Sequence, residues 1–189
     1  MKGSAINGGD AGNRQGADFY PTPKECTIAL LNFLAAAGVK FSTVCEPACG
    51  DGAISKILED NMYYTFSSDL RESGYGKPNV NFLTCEPIKA DALITNPPFN
   101  IADQFILKAV QHYDIVCILL KSQYWHVKSR RNLFMVHTPA YILPLTWRPN
   151  FLAYLQAPGE KSSSVMDVAW TVWIRNNTNA SYFPLVKPL

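Results

Sequence analysis

The chain has 189 residues and a mass of 21.0 kDa, with 48% hydrophobic residues, which suits one globular domain and is too short for two. Its longest uncharged helix-like stretch, Cys26–Val39, has 14 residues, whereas a helix needs ~20 to span a bilayer. The formal charge of +2 divides into −4 over residues 1–120 and +6 over residues 121–189, which indicates either an anionic partner on one side or chance clustering on solvated faces.

The first predicted element follows a glycine-rich arm. Residues 1–16 contain five of the eleven glycines and no apolar periodicity, so we expect a flexible arm there. Residues 17–189 then form a single domain. Its first helix is predicted over the apolar run Cys26–Val39.

The two ends of that helix carry local signals. Thr22 and Glu25 have the spacing of a capping box, and Pro23 between them suits the first helical position. Gly38 is placed to end the helix.

The rest of the chain alternates between apolar runs and helix-like segments. Seven runs predict strands: Ser42–Cys45, Tyr63–Ser67, Val80–Leu83, Asp91–Thr95, Asp114–Leu120, Ala140–Leu145 and Val165–Ile174. Three segments predict helices: Gly52–Asp60, Ile101–His112 and Gln123–Val136. This alternation predicts an α/β fold with a mostly parallel seven-stranded sheet, helices on both faces and an antiparallel strand at the C-terminal edge.

Ligands of such sheets bind beyond the carboxyl ends of the strands, and two polar segments are predicted there. The turn 46–52 after the first strand contains Gly50 and Gly52, which let the backbone approach a ligand at a helix N-terminus. Asp69 ends the second strand, where an acid can accept both hydroxyls of a ribose. Taken singly, each is also compatible with an ordinary turn.

A third segment, Asn96-Pro97-Pro98-Phe99, directly follows the fourth predicted strand. The two prolines remove backbone donors and hold the chain extended. The Asn96 side chain and the Pro97 carbonyl then offer two oxygen acceptors, and Phe99 adds a flat apolar face. Together they suit a planar group that carries an NH2.

With this motif the sequence resembles the S-adenosylmethionine-dependent DNA methyltransferases of the N6-adenine type, over about residues 18–173. It is also similar to small phage-encoded adenine methyltransferases through the stretches 119–121, 130–134 and 147–151. The motif order resembles that of the gamma group. The resemblance implies a Rossmann-like methyltransferase fold, S-adenosylmethionine as cofactor and DNA as substrate.

The same resemblance implies roles for individual residues. The cofactor-binding set would be Tyr20, Thr22, Pro23, Glu46, Ala48, Gly50, Gly52, Asp69, Leu70, Asn81, Phe82 and Asn96. Within it, Thr22 would lie near the methionine carboxylate, Asp69 would hold the ribose, and Leu70 and Phe82 would pack on the adenine. Asn81 stands where the family often has an acid.

Catalysis is assigned by the resemblance to Asn96, Pro97, Pro98 and Phe99, with Phe99 stacked on the target base. Trp147 or Phe151 would close the other side of the pocket, although each is equally suited to the core. The basic residues expected to contact phosphates are Lys121, Lys128, Arg130, Arg131 and Arg148.

Other chemistries fit less well. Carbon-5 cytosine methylation needs a Pro-Cys nucleophile, and no cysteine here follows a proline. Three alternatives stay open: methylation of RNA adenine, methylation of a protein glutamine, and a non-catalytic cofactor-binding partner subunit. The glutamine enzymes usually have Tyr where Phe99 stands.

Substrate specificity, compartment and metals complete the expectations. About forty residues follow Trp147, which leaves no room for a separate target-recognition domain and predicts little or short sequence specificity. An odd number of cysteines and the absence of a signal core predict free thiols and a cytoplasmic protein, in the host cell if a phage encodes it.

No metal site and no membrane contact are expected, and the substrate could be single-stranded. The sequence leaves the oligomeric state open.

Overall fold

The computed structural model describes residues 20–151 and 166–189. The predicted arm over residues 1–16 lies outside these ranges. The strands are β1 Thr43–Glu46, β2 Tyr64–Ser67, β3 Ala92–Thr95, β4 Ile115–Lys121, β5 Tyr141–Pro144, β6 Val168–Ile174 and β7 Ser181–Tyr182. The helices are α1 Lys24–Ala36, α2 Ala53–Asp60, α3 Ala102–His112 and α4 Arg131–Val136. Short 3-10 turns cover Phe99–Ile101, Ser122–His126 and Lys128–Arg130.

All seven strands form one sheet in the order β2-β1-β3-β4-β6-β5-β7. The first four in that order pair in parallel, and β6 runs antiparallel to both β4 and β5. The predicted fold class is therefore confirmed, with the antiparallel pairing in the C-terminal part of the sheet. Because β1, β2, β3 and β4 are parallel, their carboxyl ends meet at one edge, where a ligand site is expected.

Successive residues of the central strands enter two hydrophobic cores, one on each face of the sheet. In β4, Cys117 and Leu119 face a core that includes residues of α1 and α2, whereas Val116 and Ile118 face a core that includes residues of α3. Trp170 of β6 is fully buried on the first side. A strand covered on both faces needs a continuous apolar run, which explains the composition of β4.

The predicted strand Val80–Leu83 does not form. The Asn81 side-chain oxygen accepts a hydrogen bond from the Leu83 N–H at 3.0 Å, and the Asn81 carbonyl accepts from the Thr84 and Cys85 N–H groups. These bonds close a local turn, and a turn leaves no ladder of donors for a neighbouring strand. The seventh strand is instead β7, whose two residues pair with β5.

The helix predicted over Gln123–Val136 is also wrong in part. The segment forms two 3-10 turns and then the six-residue helix α4. Val127 separates the two turns, with φ −111° and ψ 119°. Extended backbone at a β-branched residue interrupts the helical hydrogen bonds.

The N-terminal capping prediction for α1 is wrong as well, whereas the C-terminal one is confirmed. Pro23 occupies the N-cap position rather than the first helical position, and no side chain caps the helix. At the other end, Gly38 has φ +72°, and the Val39 N–H returns to the Leu34 carbonyl at 2.9 Å. This geometry ends a helix and needs a positive φ, which glycine adopts readily.

Candidate active site

A cleft of about 900 Å³, part of it open to solvent, lies at the carboxyl ends of β1, β2 and β3. Most of the residues predicted from the sequence to bind a cofactor or to act in catalysis line it. They are Tyr20, Thr22, Glu46, Ala48, Gly50, Asp69, Leu70, Asn81, Phe82, Asn96, Pro97, Pro98 and Phe99. Segments spread over 80 residues of sequence therefore meet at one place.

The turn after β1 is tied to the end of β2. The Cys49 N–H donates to the Ser68 carbonyl at 3.0 Å, and the Gly50 N–H donates to Asp69 Oδ2 at 2.8 Å. Gly50 has φ +54°, a left-handed conformation that suits glycine. These two hydrogen bonds hold the glycine turn next to Asp69. A ligand that contacts both requires this arrangement.

Asp69 has an additional partner that the sequence analysis missed. The Arg71 backbone N–H donates to Asp69 Oδ1 at 2.8 Å, and its side-chain Nε lies 3.2 Å from the same oxygen. Burial alone would raise the pKa of Asp69, but hydrogen bonds from Arg71 and Gly50 hold that pKa below its usual value. Asp69 is therefore ionised, and Arg71, two residues away and also lining the cleft, neutralises it.

Glu46, at the end of β1, is 1% exposed. Burial raises the pKa of its carboxyl to about 8, although a short hydrogen bond from the Ser55 hydroxyl lowers it in part. The Ser55 hydroxyl also lies 2.6 Å from the Ser67 hydroxyl. A buried carboxyl of this kind is neutral near pH 7 until a cation approaches and favours its ionised form.

Two residues of the predicted cofactor set do not line the cleft. Gly52 has φ +83°, and a Cβ built there would lie 2.6 Å from the Tyr75 ring. Its missing side chain therefore makes room for the Tyr75 ring. Pro23 is the N-cap residue of α1.

Phe82, Phe105 and Leu70 give the cleft an apolar part of its lining. Phe82 is 3% exposed and packs against Phe105 with ring centroids 4.8 Å apart. Lys108 lies over the Phe82 ring at 5.3 Å, and its Nζ donates to the Cys85 carbonyl at 2.5 Å. Leu70 is 62% exposed at the rim of the cleft. The amide oxygen of Asn81 is already engaged in its own turn, as described above.

The Asn96 amide lies at the carboxyl end of β3 with its two polar atoms in different surroundings. Nδ2 donates to Thr22 Oγ1 at 3.1 Å and to the Tyr20 carbonyl at 3.5 Å. Oδ1 is buried and has no hydrogen-bond partner among the residues that the structure describes. A buried amide oxygen without a donor is costly, so it favours a ligand that supplies one.

Phe99 begins a 3-10 turn directly after Pro98. The Lys121 ammonium lies 4.5 Å from the centroid of the Phe99 ring. A cation over one face of an aromatic ring is attracted by its quadrupole. Lys121, predicted to contact phosphate, is thereby placed next to the Asn96-Pro97-Pro98-Phe99 segment.

The other basic residues of the predicted substrate face differ in their surroundings. Lys128 and Arg131 are exposed. The Arg130 guanidinium instead lies 3.7 Å from the centroid of the Tyr124 ring and donates to the Tyr124 carbonyl at 3.4 Å. Arg148 is exposed and forms an ion pair with Asp167 at 2.9 Å.

The sequence leaves two roles open for Trp147 and Phe151, and both residues contact the hydrophobic core. Phe151 is 3% exposed and belongs to the hydrophobic core on the α1 and α2 side of the sheet. Trp147 is half-buried and packs against the same core. Neither lines the cleft: Phe151 lies in the core, and Trp147 packs against that core while it stays partly exposed.

Residues 20–151 and 166–189 contain neither a candidate metal cluster nor a membrane-spanning helix. No group of three or more His, Cys, Asp or Glu side chains in these ranges could hold a metal ion. No helix within them is long and apolar enough to cross a membrane.

Comparison with known proteins places this geometry in context. No family model and no curated protein matches the sequence. Among solved structures, a type I restriction-modification methyltransferase subunit from Streptococcus thermophilus matches with a TM-score of 0.64 and 14% identity, over 90% of this chain and 48% of that one. This chain therefore spans about half the length of that subunit.

Two other structures match over most of both chains. A Pyrococcus horikoshii protein described as an RNA methyltransferase has a TM-score of 0.62 and 15% identity, with 84% of this chain and 87% of that one covered. Magnesium protoporphyrin IX methyltransferase from Synechocystis PCC 6803, with bound S-adenosylmethionine, has a TM-score of 0.54 and 16% identity, with 81% and 79% covered. The chain has the Rossmann-like methyltransferase fold. At these identities the likeness concerns the fold alone.

Proposed function

We propose that the protein transfers a methyl group from S-adenosylmethionine to the exocyclic N6 of adenine in DNA, with little or short sequence specificity. The observation that carries this proposal is the Asn96 amide. Its oxygen is buried at a strand end without a donor from any residue that the structure describes, and Asn96 lines a cleft with acidic and apolar groups. An amino group on a planar base supplies the missing donor.

The residues of the cleft fit the cofactor. Glu46 offers a buried carboxyl to the ammonium of the methionine part, which would favour the ionised form. Asp69 keeps an ionised carboxylate for the ribose hydroxyls, which would share it with Arg71 or displace that side chain. Phe82 and Leu70 supply apolar surface for an adenine ring. When bound, S-adenosylmethionine supplies a methyl group that its sulfonium already activates.

The protein's own residues must then make the adenine N6 atom more nucleophilic and position it. The exocyclic nitrogen of adenine shares its lone pair with the ring. Hydrogen bonds from its N–H groups to Asn96 Oδ1 and to the Pro97 carbonyl favour a pyramidal nitrogen with the lone pair released. Phe99 stacks on the target base after that base has flipped out of the DNA duplex, or on a base that is already unpaired. Its other face lies under Lys121.

Methylation of RNA adenine is the second candidate. The same acceptors and stacking ring serve an adenine in either polymer, and one protein with this fold is described as an RNA methyltransferase. Lys128 and Arg131 contact phosphates equally well in both cases, because such contacts carry no base information.

Labelled methyl transfer tests the proposal. S-adenosylmethionine with a labelled methyl group is incubated with DNA, RNA and protein pools, single- and double-stranded nucleic acid being kept separate. We expect label in DNA, recovered as N6-methyl-2′-deoxyadenosine after digestion to nucleosides. Label in RNA adenine alone supports the second candidate, and label in glutamine or in no pool contradicts both. A methylation map that contains one unique site of five or more bases would contradict the expected short specificity.

An Asn96→Ala variant tests the mechanism within the same assay. We expect cofactor affinity close to that of the wild type and a loss of methyl transfer of about 10²–10³-fold, as when one preorganised hydrogen-bond partner of a reacting group is removed. Asn177→Ala, which removes an amide bound to the Asn179 carbonyl, is the matched control. Near-normal turnover of Asn96→Ala would show that the amide does not act on the reacting nitrogen.

A further inference from the structure

The Asn96 amide is held by a segment that lies 74 residues earlier in the chain. Nδ2 donates to Thr22 Oγ1 at 3.1 Å and to the Tyr20 carbonyl at 3.5 Å. A hydroxyl can donate or accept, but a backbone carbonyl can only accept. The Tyr20 carbonyl therefore requires the NH2 half of the amide to face this segment, and Oδ1 takes the opposite side.

Thr22 lies just before α1, which is hydrogen-bonded to the sheet. It is 5% exposed, and its hydroxyl does not cap the helix that follows. That helix begins with a hydrogen bond from the Cys26 N–H to the Pro23 carbonyl at 2.9 Å. The Cys26 carbonyl in turn accepts from the indole N–H of the fully buried Trp170 at 2.9 Å. The position of the Thr22 hydroxyl is thus set by the sheet itself.

We propose that Thr22 is a positioning residue. Its hydroxyl is the nearer acceptor of Nδ2 and holds the amide against the Tyr20 carbonyl, and that carbonyl selects the one orientation that presents Oδ1 to the acceptor amino group. This inference rests on the proposed function. The terminal torsion of an asparagine side chain is broad and roughly two-fold, so rotation by half a turn exchanges oxygen and NH2. In the exchanged orientation a donor would face the N–H groups of the base, and the reacting nitrogen would lose its acceptor.

The hydroxyl is tested by a change that keeps the shape of the side chain. In Thr22→Val the amide loses its nearer partner and keeps only the longer bond to the Tyr20 carbonyl at 3.5 Å, so it is held less firmly and its exchanged orientation becomes more populated. We expect the single-turnover methyl-transfer rate, with cofactor and DNA saturating, to fall by at least 10-fold, because small misplacements of a reacting group cost up to about 10²-fold. Thr22→Ser keeps the hydroxyl and should restore the rate to within a few-fold of wild type.

Thr27→Val is the matched control. Thr27 lies on α1, is fully buried, and its hydroxyl has no hydrogen-bond partner among the described residues. The same chemical change there should leave the rate unaltered. Melting temperatures of all three variants report whether each folds. A folded Thr22→Val protein with the same rate as Thr27→Val would overturn the proposal.

A second measurement does not depend on activity. The side-chain amide signals of Asn96 are identified by NMR through their disappearance in Asn96→Asp, and their exchange with solvent is timed. We expect slow exchange in the wild type and faster exchange in Thr22→Val. Equal exchange in both proteins would overturn the proposal even if methyl transfer occurs. Conversely, the Asn96 amide could exchange faster in Thr22→Val while the wild-type protein methylates no nucleic acid. That result would support the positioning of Asn96 by Thr22 and contradict the proposed function.

Discussion

Glu46 shows how the surroundings of one residue alter its chemistry. The carboxyl is buried at the end of β1 and receives one short hydrogen bond from Ser55. Because its pKa rises to about 8 in the folded protein, it holds its proton there while it is ionised in the unfolded chain above its ordinary pKa of 4.5. The free energy of unfolding therefore decreases, through this group, as pH rises from about 4.5 to about 8.

Cofactor binding should reverse that protonation. An ammonium beside Glu46 favours the ionised carboxylate, so binding near pH 7 should release about one proton from the wild type. Calorimetric titration in two buffers of different ionisation enthalpy measures this release. Glu46→Gln cannot ionise and should release none from this position. If the two proteins release the same number of protons, Glu46 does not contact the ammonium.

At the scale of elements, the segment between β2 and β3 forms one wall of the cleft without being a strand. Phe82 is held there by side chains of α3, with the Phe105 ring packed against it and the Lys108 ammonium over its ring. Phe105 and Lys108 are three residues apart, so they lie on the same face of the helix. This helix face, together with the Asn81 turn, takes the place of the missing ladder of hydrogen bonds.

Replacing Lys108 tests the role of that contact. Lys108→Met keeps the apolar stem but removes the ammonium that donates to the Cys85 carbonyl. We expect the free energy of unfolding to fall by about 1.5–3 kcal/mol, typical of a hydrogen bond that involves a charged group, and cofactor affinity to weaken several-fold as Phe82 loosens. Urea denaturation and equilibrium binding measure the two effects. Lys40→Met, at an exposed position, is the control, and equal behaviour of the two variants would contradict the prediction.

At the scale of the whole molecule, the structure shows where the acidic and basic parts of the chain lie relative to the cleft. The acidic part of the chain, residues 1–120, contains Glu46 and Asp69 of the cleft, whereas the basic part begins with Lys121 beside Phe99. The basic residues there differ in their contacts, because Arg130 packs on Tyr124 and the exposed Arg148 pairs with the exposed Asp167. Among the predicted phosphate contacts, Lys128 and Arg131 are exposed and form no ion pair with another described residue; they lie in a 3-10 turn and at the start of α4.

The proposed nucleic-acid surface predicts a change in salt dependence. Lys128→Ala combined with Arg131→Ala should weaken nucleic-acid binding and reduce the slope of log affinity against log salt by about 2, roughly one for each phosphate contact. Fluorescence anisotropy over a salt series measures the slope. Arg175→Ala, which removes a charge paired with Asp114 after β6, should leave the slope unchanged. An unaltered slope in the double variant would assign these two charges to solubility alone.

The sequence by itself determined the features that depend on neighbouring residues. The apolar runs of β1, β2, β3 and β4 and the left-handed glycine after α1 follow from periodicity and backbone freedom. So does the position of Asn96 at a strand end. Each is a local preference, and parallel strands then bring their carboxyl ends together. The cleft was predictable for that reason.

Only the tertiary structure decided what depends on partners distant in sequence. Thr22 reads as a helix cap, but its hydroxyl binds Asn96 instead. Val80–Leu83 reads as a strand, but the Asn81 turn and the face of α3 hold it as a loop. Phe151 reads equally as pocket or core and lies in the core. In each case the competing local states differ little in free energy, so contacts made across the fold select between them.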